Sequence, residues 1–600
     1  MRHDTGPPPE RVLKGGVVTW ACNPGFPPAV IFPFSPPERF GTRNLYEFQA
    51  LMYRPLYWLG RGGGIGIDFD LSIGEEPEWD SDGRTVTVRI KPWRWSNGET
   101  VCADNVIFWM NMLTRKGPRY GGYTKGYFPD NLVSYTKVAD DKVRFTFDRV
   151  YSRNWVLLNQ LTMIIPMPKA WDRTAAGPAD ASTDPDQADA VYDYLLAENG
   201  DMVEEGNAHR VGWADSPIWS VVNGPWRLKS YTEEGVVTFV PNEHYSGPNK
   251  PHLDEFRQIP TQSDEQEYEL LRAGPRGPDA IQVGFLPPSF GVQPSGDPTT
   301  GGPNPLGDRY TLVPQIFFNV RFICLNLTNP TIAGNLLRRP YLRQALQSCF
   351  DQEYVSKEIY QGYGWRQSGP VPMLPSSDLV SPRLADGQGF WPFDPDRARA
   401  LLAANGWDVS VSPAVCVRPG TGPGQAGPGI PAGTTLSLAL RYVEGRPALT
   451  RLMQQFETDA AKAGIELRLS EVYGSILVAE DDPGPSTPDH PRRWEMSSWN
   501  GGWVYGYPTG ENLFRSGAGF NVSNYSDPRA DELIDRTVTT DDLDALYEYQ
   551  DYISEQVPVI FLPNFPWRLY EVAANLRGFT PINPCGLINP ENWYYVEETS

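Results

Sequence analysis

The 600-residue sequence predicts an α/β protein built from several domains or lobes. Its length is several times the roughly 100–200 residues of a single domain. Short stretches that alternate apolar and polar residues, such as Lys142 to Phe147, predict strands. In the second half of the chain such strands alternate with segments of helical period, which is typical of α/β folds. No apolar stretch approaches the roughly 20 residues of a membrane-spanning helix.

The first predicted elements follow a Pro-rich N-terminal tail. Gly15 to Trp20 is a β-branched run that predicts a strand opening a domain. Thr85 to Ile90 alternates valine and isoleucine with polar residues, so we expect a half-buried strand with Thr85 and Thr87 facing solvent. An apolar-periodic helix follows, and we expect it to be N-capped near Asp104.

Three helices in the second half have clear sequence signals. Arg339 to Gln361 carries an apolar stripe that predicts one continuous helix. Asp394 and Asp527 each precede a proline, which predicts a capping carboxylate followed by proline at the first helical position. Strands at Thr435 to Arg441 and Ile465 to Leu469 alternate with these helices, which supports the α/β class.

Charge and aromatic content narrow the classes of function. The chain has 73 acidic and 52 basic side chains, and its formal net charge of −21 argues against binding nucleic acid or anionic membranes, which need Lys and Arg clusters. It also contains 19 Trp, 29 Tyr and 26 Phe, a density above what packing alone usually demands. We therefore expect an acidic, soluble protein with an aromatic recognition surface.

The six cysteines are widely spaced and include no CxxC pair, which makes a zinc site improbable. An even number favours an oxidising compartment with one to three disulfides, and buried free thiols are the alternative. The sequence does not determine which residues would pair. These cysteines are Cys22, Cys102, Cys324, Cys349, Cys416 and Cys585.

Catalytic and cofactor motifs fail on their context. Gly422 to Gly427 matches the dinucleotide pattern GxGxxG, but Pro428 follows where a helix should begin. Ser134 to Lys137 matches SxxK without the companion SDN and KTG motifs. The five histidines lack the spacing of metal ligands. We therefore predict that the protein is not an enzyme and uses no cofactor or metal; a hydrolase is the remote alternative.

Six groups of residues in one collinear order are more specific than any single motif. They are Ser81 to Trp109, Asn223 to Glu255, Leu325 to Pro370, the helix start at Asp394, Ala463 to Ile465, and Asn524 to Asp531. Together they resemble the characteristic segments of the family 5 extracellular solute-binding proteins, the oligopeptide and dipeptide receptors of ABC importers. On this resemblance the chain is identified as a member of that family.

The resemblance implies a two-lobed, periplasmic-binding-protein-like fold (type II, cluster C) with an extra α/β domain inserted in lobe I. The implied ranges are 1–50, 216–310 and 565–600 for lobe I, 51–215 for the inserted domain, and 311–564 for lobe II. Such a receptor closes on its ligand by a hinge movement and delivers it to ABC permease subunits. The resemblance further implies a bacterial, monomeric protein in the periplasm or at the extracellular face of the membrane, lipid-anchored in its precursor.

The resemblance also implies where a ligand binds. Met496 to Thr509 corresponds to a cleft segment of the peptide receptors, in which an aspartate pairs with the α-ammonium of the peptide. Gly506 stands at the position of that aspartate here. A buried ammonium without a carboxylate partner is strongly disfavoured, so capture of a free N-terminus would need Glu511 or another acid.

The predicted ligand is therefore an oligopeptide, including N-blocked or modified peptides, and the alternative is an oligosaccharide or glycosylated metabolite. Aromatic faces and a neutral amide suit both. The alternative for each ring is that it only packs inside its lobe and does not contact a ligand. The candidate residues are Trp499, Asn500, Gly501, Trp503, Tyr505, Tyr507 and Glu511, with Trp20, Asn23 and Phe26 expected on the opposite wall of the cleft.

Overall fold

In the computed structural model, two large mixed sheets and one smaller antiparallel sheet carry most of the strands. The structure describes residues 11–22, 27–61, 64–200, 207–287, 294, 297–481, 486–566, 568–579 and 585–597. Strands alternate with helices along the chain, so the predicted α/β class is confirmed.

The first sheet has seven strands drawn from distant parts of the sequence. Val17–Cys22 lies in its middle and pairs in parallel with Glu255–Pro260 and Val283–Leu286. Its edge strand Tyr310–Gln315 extends past residue 310, where the middle range expected for lobe I ends. Its strand order is Trp226–Tyr231, Val237–Pro241, Glu255–Pro260, Val17–Cys22, Val283–Leu286, Arg568–Ala573 and Tyr310–Gln315.

The second sheet has six strands, all between residues 311 and 564. Asn319–Leu325 is its central strand and pairs with three antiparallel neighbours, Met496–Ser498, Gly502–Val504 and Val559–Leu562. Ser437–Val443 and Glu466–Val472 extend the sheet beyond Met496–Ser498 by parallel pairing.

The third sheet has four antiparallel strands and lies within the expected inserted domain. Its order is Glu78–Trp79, Thr85–Arg89, Lys142–Phe147 and Leu132–Ala139. The helix Ala103–Lys116 packs against it with an inward face that includes Trp109. A small sheet of Val12–Leu13, Tyr594–Val596 and Leu576–Arg577 joins the two ends of the described chain.

Ten α-helices of six or more residues are found in the described part of the chain. They are Ala103–Lys116, Ala188–Asn199, Asp264–Ala273, Ile332–Leu337, Pro340–Ser348, Pro395–Ala404, Pro447–Lys462, Gly474–Glu480, Pro528–Thr539 and Leu543–Gln556. None of the helices among the described residues is long and apolar enough to cross a bilayer.

Two extensive hydrophobic cores hold these layers together. The first joins the seven-stranded sheet to the inserted segment, so that Trp20, Trp109 and Val283 belong to one cluster. The second surrounds Asn319–Leu325 and the helices of the later half. Tyr507 and Val538, which lie in the later half of the sequence, pack into the first core and so connect the two regions.

The two Asp-Pro start signals are confirmed in atomic detail. The Asp394 carboxylate accepts a hydrogen bond from the Arg397 amide at 2.9 Å. The Asp527 carboxylate accepts bonds from the amides of Arg529 and Ala530 at 2.8 and 3.0 Å. Each carboxylate satisfies free N–H groups of the first helical turn, which is why the helix begins there.

The helix expected to be capped near Asp104 begins at Ala103, and the Asn105 side chain accepts a bond from the Cys102 amide at 2.9 Å. Two other local predictions need correction. Thr85 and Thr87 are buried rather than exposed. The Thr85 hydroxyl donates to Asp82 at 2.9 Å, so this polar group is hydrogen-bonded where the strand is covered.

The helix expected over Arg339 to Gln361 is interrupted. Pro340–Ser348 ends before Phe350, and a new start follows in which the Asp351 carboxylate accepts a bond from the Tyr354 amide at 2.9 Å. The chain then continues as a wider helical turn over Val355–Ile359. Asp351 competes with the helix for backbone N–H groups, which the apolar stripe did not reveal.

The six cysteines are free thiols, so the favoured expectation of disulfides is wrong and the alternative of buried thiols describes the structure. Five are buried and Cys102 is partly exposed. They occupy separate elements; Cys22 ends a strand of the first sheet, whereas Cys324 lies in the centre of the second. Burial raises the pKa of the Cys22 thiol to about 11, which keeps it protonated.

Candidate ligand-binding site

The predicted aromatic segment forms a turn between two strands at the centre of the second sheet. Met496–Ser498 and Gly502–Val504 both pair with Asn319–Leu325. Between them, Asn500 adopts a left-handed conformation with φ of 59°. Asparagine is among the few residues with a side chain that take up this conformation readily, which explains why the chain turns here.

Trp499 and Trp503 each have one side fixed and remain half-buried. The Trp499 ring meets Phe322 edge to face, with centroids 6.0 Å apart. The Trp503 ring packs on Phe520 with centroids 4.4 Å apart. Rings held in this way offer a rigid apolar face at little entropic cost, which suits recognition of a ligand.

A buried cation lies below this turn and was not predicted from the sequence. The Arg321 side chain donates to the Asn500 carbonyl at 3.3 Å and its guanidinium lies 3.5 Å from the ring centre of Phe565. The Phe565 ring stacks in turn on Tyr360, with centroids 3.8 Å apart. Burial lowers the pKa of Arg321 to about 10, so it still carries its charge at neutral pH.

This stack lies where the chain passes from one large sheet to the other. Phe565 follows the strand Val559–Leu562 of the second sheet and precedes Arg568–Ala573 of the first. Next to it, the backbones of Asn564 and Trp365 pair at 2.8 and 2.9 Å. The two sheets therefore meet at a place where aromatic side chains and an arginine are gathered.

A cavity of about 560 Å³ opens beside the stack, between segments that belong to the two predicted lobes. Its wall includes Pro294 and Pro298 from one and Ser356, Gly362, Trp365 and Arg366 from the other. Glu353 also lines it and accepts hydrogen bonds from Lys357 at 2.6 Å and from Arg366 at 2.5 Å. A volume of this size is typical of small-ligand sites.

Several predicted site residues are enclosed instead of facing this space. Trp20 is fully buried, stacks on Phe256 and lies between the guanidinium groups of Arg43 and Arg568. Tyr505 and Tyr507 are each only 3% exposed. The expectation that these three rings line an open cleft is therefore corrected, because each is covered by a core. Asn23 and Phe26 lie outside the described residues.

Glu511 is also engaged within the protein. Its carboxylate accepts a hydrogen bond from the Trp155 indole at 2.7 Å and from the Asn159 amide at 3.3 Å. Burial raises the pKa of Glu511, which shows that its charged form is disfavoured at this place. Both bonds are made to one carboxylate oxygen, and the other oxygen is buried without a hydrogen-bond partner among the described residues.

Gly506 is pressed against the segment that carries Asn159. A Cβ atom at Gly506 would lie 2.5 Å from the Leu158 carbonyl oxygen and 2.9 Å from the Asn159 side-chain oxygen. These distances are shorter than real Cβ contacts, so an aspartate in place of Gly506 would force the two segments apart. Glycine at this position is explained by the close approach of two backbones.

Metal ligands are not clustered in the described ranges, where no group of three or more His, Cys, Asp or Glu side chains could hold an ion. Arg321, Tyr360 and Phe565 were not predicted as site residues, because no motif in the sequence surrounds them. Their proximity depends on the pairing of distant strands, which a single sequence does not reveal.

Comparison with known proteins places this geometry in context. A family model described as bacterial extracellular solute-binding proteins, family 5 Middle, matches residues 71–521. The glutathione-binding protein GsiB of Pectobacterium atrosepticum is 24% identical over 517 residues, which cover 83% of this chain and 82% of that protein. The peptidoglycan-binding protein YepA of Agrobacterium fabrum is 31% identical over 143 residues, only 23% of this chain and 22% of that protein.

Solved structures share the fold over nearly the whole length. The oligopeptide-binding protein AppA of Bacillus subtilis, in complex with a nonapeptide, superposes with a TM-score of 0.67 at 18% identity, covering 98% of this chain and 100% of that one. The periplasmic EDTA-binding protein EppA gives a TM-score of 0.69 at 16% identity, covering 98% of both chains. The two-lobed, periplasmic-binding-protein-like fold is thereby confirmed.

Proposed function

Because the chain belongs to the bacterial extracellular solute-binding proteins of family 5, we propose that it is the substrate-binding receptor of an ABC importer and that it captures peptides. The observation that carries this proposal is the place where the two sheets meet. There, Arg321 of the Arg321–Phe565–Tyr360 stack bonds the turn that carries the half-buried Trp499 and Trp503. A cavity of about 560 Å³ is lined by Trp365, whose backbone pairs with Asn564 next to Phe565.

We base the proposed assignment of the lobes on the three sheets. We assign the seven-stranded sheet to lobe I, the six-stranded sheet to lobe II, and the four-stranded sheet to a domain inserted at 51–215. Residues 316–318 and 563–566 lie between strands of the first two sheets and would act as the hinge. To change an open-to-closed ratio from 1:99 to 99:1, a ligand must prefer the closed form by about 5.5 kcal/mol.

Peptides with a blocked or modified N-terminus are the proposed ligand class. Gly506 carries no carboxylate, and the neighbouring space is filled by Leu158 and Asn159. The Glu511 carboxylate is bonded through one oxygen only, but burial raises its pKa and so favours its neutral form. A free α-ammonium buried here would lack the partner that it needs. The relatives GsiB and AppA, named as binding glutathione and bound to a nonapeptide, support a peptidic ligand.

Native mass spectrometry tests the proposal with three probes offered to the purified protein. They are a tryptic digest of casein, the same digest after N-acetylation, and a mixture of chito-oligosaccharides. Retention of peptide masses, with acetylated peptides preferred, is the expected result. Retention of sugars alone would favour the oligosaccharide alternative, which the exposed indole rings also suit. Retention of none of the three would overturn the peptide proposal.

A further inference from the structure

The inserted domain contacts lobe II through Thr124 with Asn512, through Tyr127 with Asp535, and through the segment 152–160. The Ser152 hydroxyl donates to the Asp541 carboxylate at 2.5 Å, and the same carboxylate accepts bonds from the amides of Arg153 and Asn154 at 3.2 Å. Asp541 of lobe II thus accepts hydrogen bonds from the first turn of a short helix in the inserted domain. The segment is anchored at its beginning by a lobe II side chain.

Asn159 makes the central contact of this segment. Its side-chain oxygen accepts a hydrogen bond from the Tyr507 amide at 2.6 Å, and its side-chain nitrogen donates to the Tyr507 carbonyl at 2.9 Å. Both backbone groups of one residue are therefore held by one side chain, as they would be by a neighbouring strand. The same nitrogen also lies 3.2 Å from the Thr509 hydroxyl.

Tyr507 continues the strand that carries Trp503. The Tyr505 amide donates to the Phe318 carbonyl at 3.0 Å, so the pairing of Gly502–Val504 with the central strand extends toward Tyr507. Beyond Tyr505 the partner strand has ended, and Asn159 takes over the backbone groups. The far end of the aromatic segment is thus held by Asn159 of the inserted domain, and the Thr509 amide of lobe II also donates to the Tyr507 carbonyl at 2.9 Å.

We propose that Asn159 is a positioning residue for ligand recognition, through which the inserted domain fixes the segment Trp499 to Tyr507. The role in recognition rests on the function proposed above, whereas the mechanical role does not. Asn159 contributes no ligand contact of its own; it acts through the backbone of Tyr507. The inserted domain is then part of the recognition apparatus, because it holds the end of the segment whose strand carries Trp503.

Hydrogen–deuterium exchange of the unliganded protein tests the mechanical role. In Asn159→Ala, the Tyr507 amide should exchange about tenfold faster or more, because it loses its acceptor. Asn97→Ala is the matched control, since Asn97 lies in the same expected domain on an exposed turn and its side chain bonds only the Glu99 amide. Unchanged exchange at Tyr507 in Asn159→Ala would overturn the proposal.

Calorimetry with the casein-digest peptide that the wild type retains tests the role in recognition. At a temperature far below unfolding, Asn159→Ala should weaken binding about tenfold, while Asn97→Ala should leave it unchanged. Faster exchange with unchanged affinity would reduce Asn159 to a structural contact and so overturn the positioning role. If the wild type retains no peptide, the peptide proposal is refuted. The exchange experiment still decides, independently of any ligand, whether Asn159 holds the segment.

Gly506→Ala provides a second variant that keeps Asn159 in place. Its new methyl group would press on the Leu158 carbonyl at 2.5 Å and separate the two segments. We expect it to raise exchange at Tyr507 and to weaken peptide binding in the same direction as Asn159→Ala. Wild-type exchange and affinity in Gly506→Ala would contradict the proposal.

Discussion

The two large regions of the molecule use tryptophan in different ways. The most deeply buried tryptophans all precede residue 230; they are Trp20, Trp58, Trp95, Trp109, Trp155, Trp171, Trp219 and Trp226. In the second region, Trp499 and Trp503 keep half-buried faces beside the meeting point of the sheets. In the first region the many aromatic side chains therefore mainly fill the core. In the second region the exposed faces of Trp499 and Trp503 are available for recognition.

The largest effect should come from a first-region tryptophan. Trp109 is fully buried and contacts Phe34 and Tyr120 with centroids 5.3 and 5.4 Å away. Trp109→Ala should lower the free energy of unfolding by about 3–5 kcal/mol, because it removes a large apolar side chain and leaves a cavity. Chemical denaturation measures this, with the exposed Val133→Ala as the control. A loss below about 1 kcal/mol would contradict the packing role.

The second prediction concerns affinity and not stability. Trp503→Ala should weaken binding of the retained peptide by about 2–4 kcal/mol if the ring is a central anchor. Trp391→Ala is a matched control, because Trp391 is also partly buried in the second region but its indole is bonded to the Glu555 carbonyl. Equal calorimetric affinity in folded Trp503→Ala and wild type would remove Trp503 from the site.

The third prediction tests a polar group in the first sheet next to the second region. Burial raises the pKa of Glu571 to about 7, and Asn304 donates to its carboxylate at 2.7 Å. The folded pKa lies above the unfolded one, so the stability contribution of the protonated form is complete below about pH 4.5 and is lost as pH rises through about 7. Between these two pH values this group lowers the free energy of unfolding by about 3 kcal/mol at most.

Glu571→Gln should therefore unfold at a higher temperature than the wild type at pH 8, and the difference should shrink toward pH 4. Glutamine keeps an acceptor for Asn304 and carries no charge to bury. Glu597→Gln serves as the control because Glu597 is exposed and pairs with the exposed Arg11 at 2.8 Å. A stability difference that stays constant from pH 4 to pH 8 would exclude titration of Glu571 as its cause.

Local signals in the sequence predicted local structure well. Asp394 and Asp527 start helices because a carboxylate followed by proline satisfies the first turn and presets its backbone, and neither effect needs a distant partner. The break before Asp351 was missed because an apolar stripe reports which face is buried, not where the backbone hydrogen bonds are interrupted.

The site was predictable only in part. The segment of Trp499 and Trp503 was identified from family resemblance, and both rings keep exposed faces. Burial of Tyr507 depends on the distant residue Asn159, and the Arg321–Phe565 contact depends on strand pairing over a long sequence separation. Such contacts are fixed by tertiary structure, so residue type and spacing do not reveal them.

The order of strands in the first sheet has a consequence for folding. Tyr310–Gln315 is joined to that sheet only through Arg568–Ala573, which also borders Val283–Leu286. Pairing across such sequence separations is slow, because the entropy of closing long loops is lost before the contacts form. Val17–Cys22 must therefore wait for Glu255–Pro260 and Val283–Leu286, and Tyr310–Gln315 must wait for Arg568–Ala573. The first sheet, whose earliest strand is made before any strand of the second, is therefore completed after it.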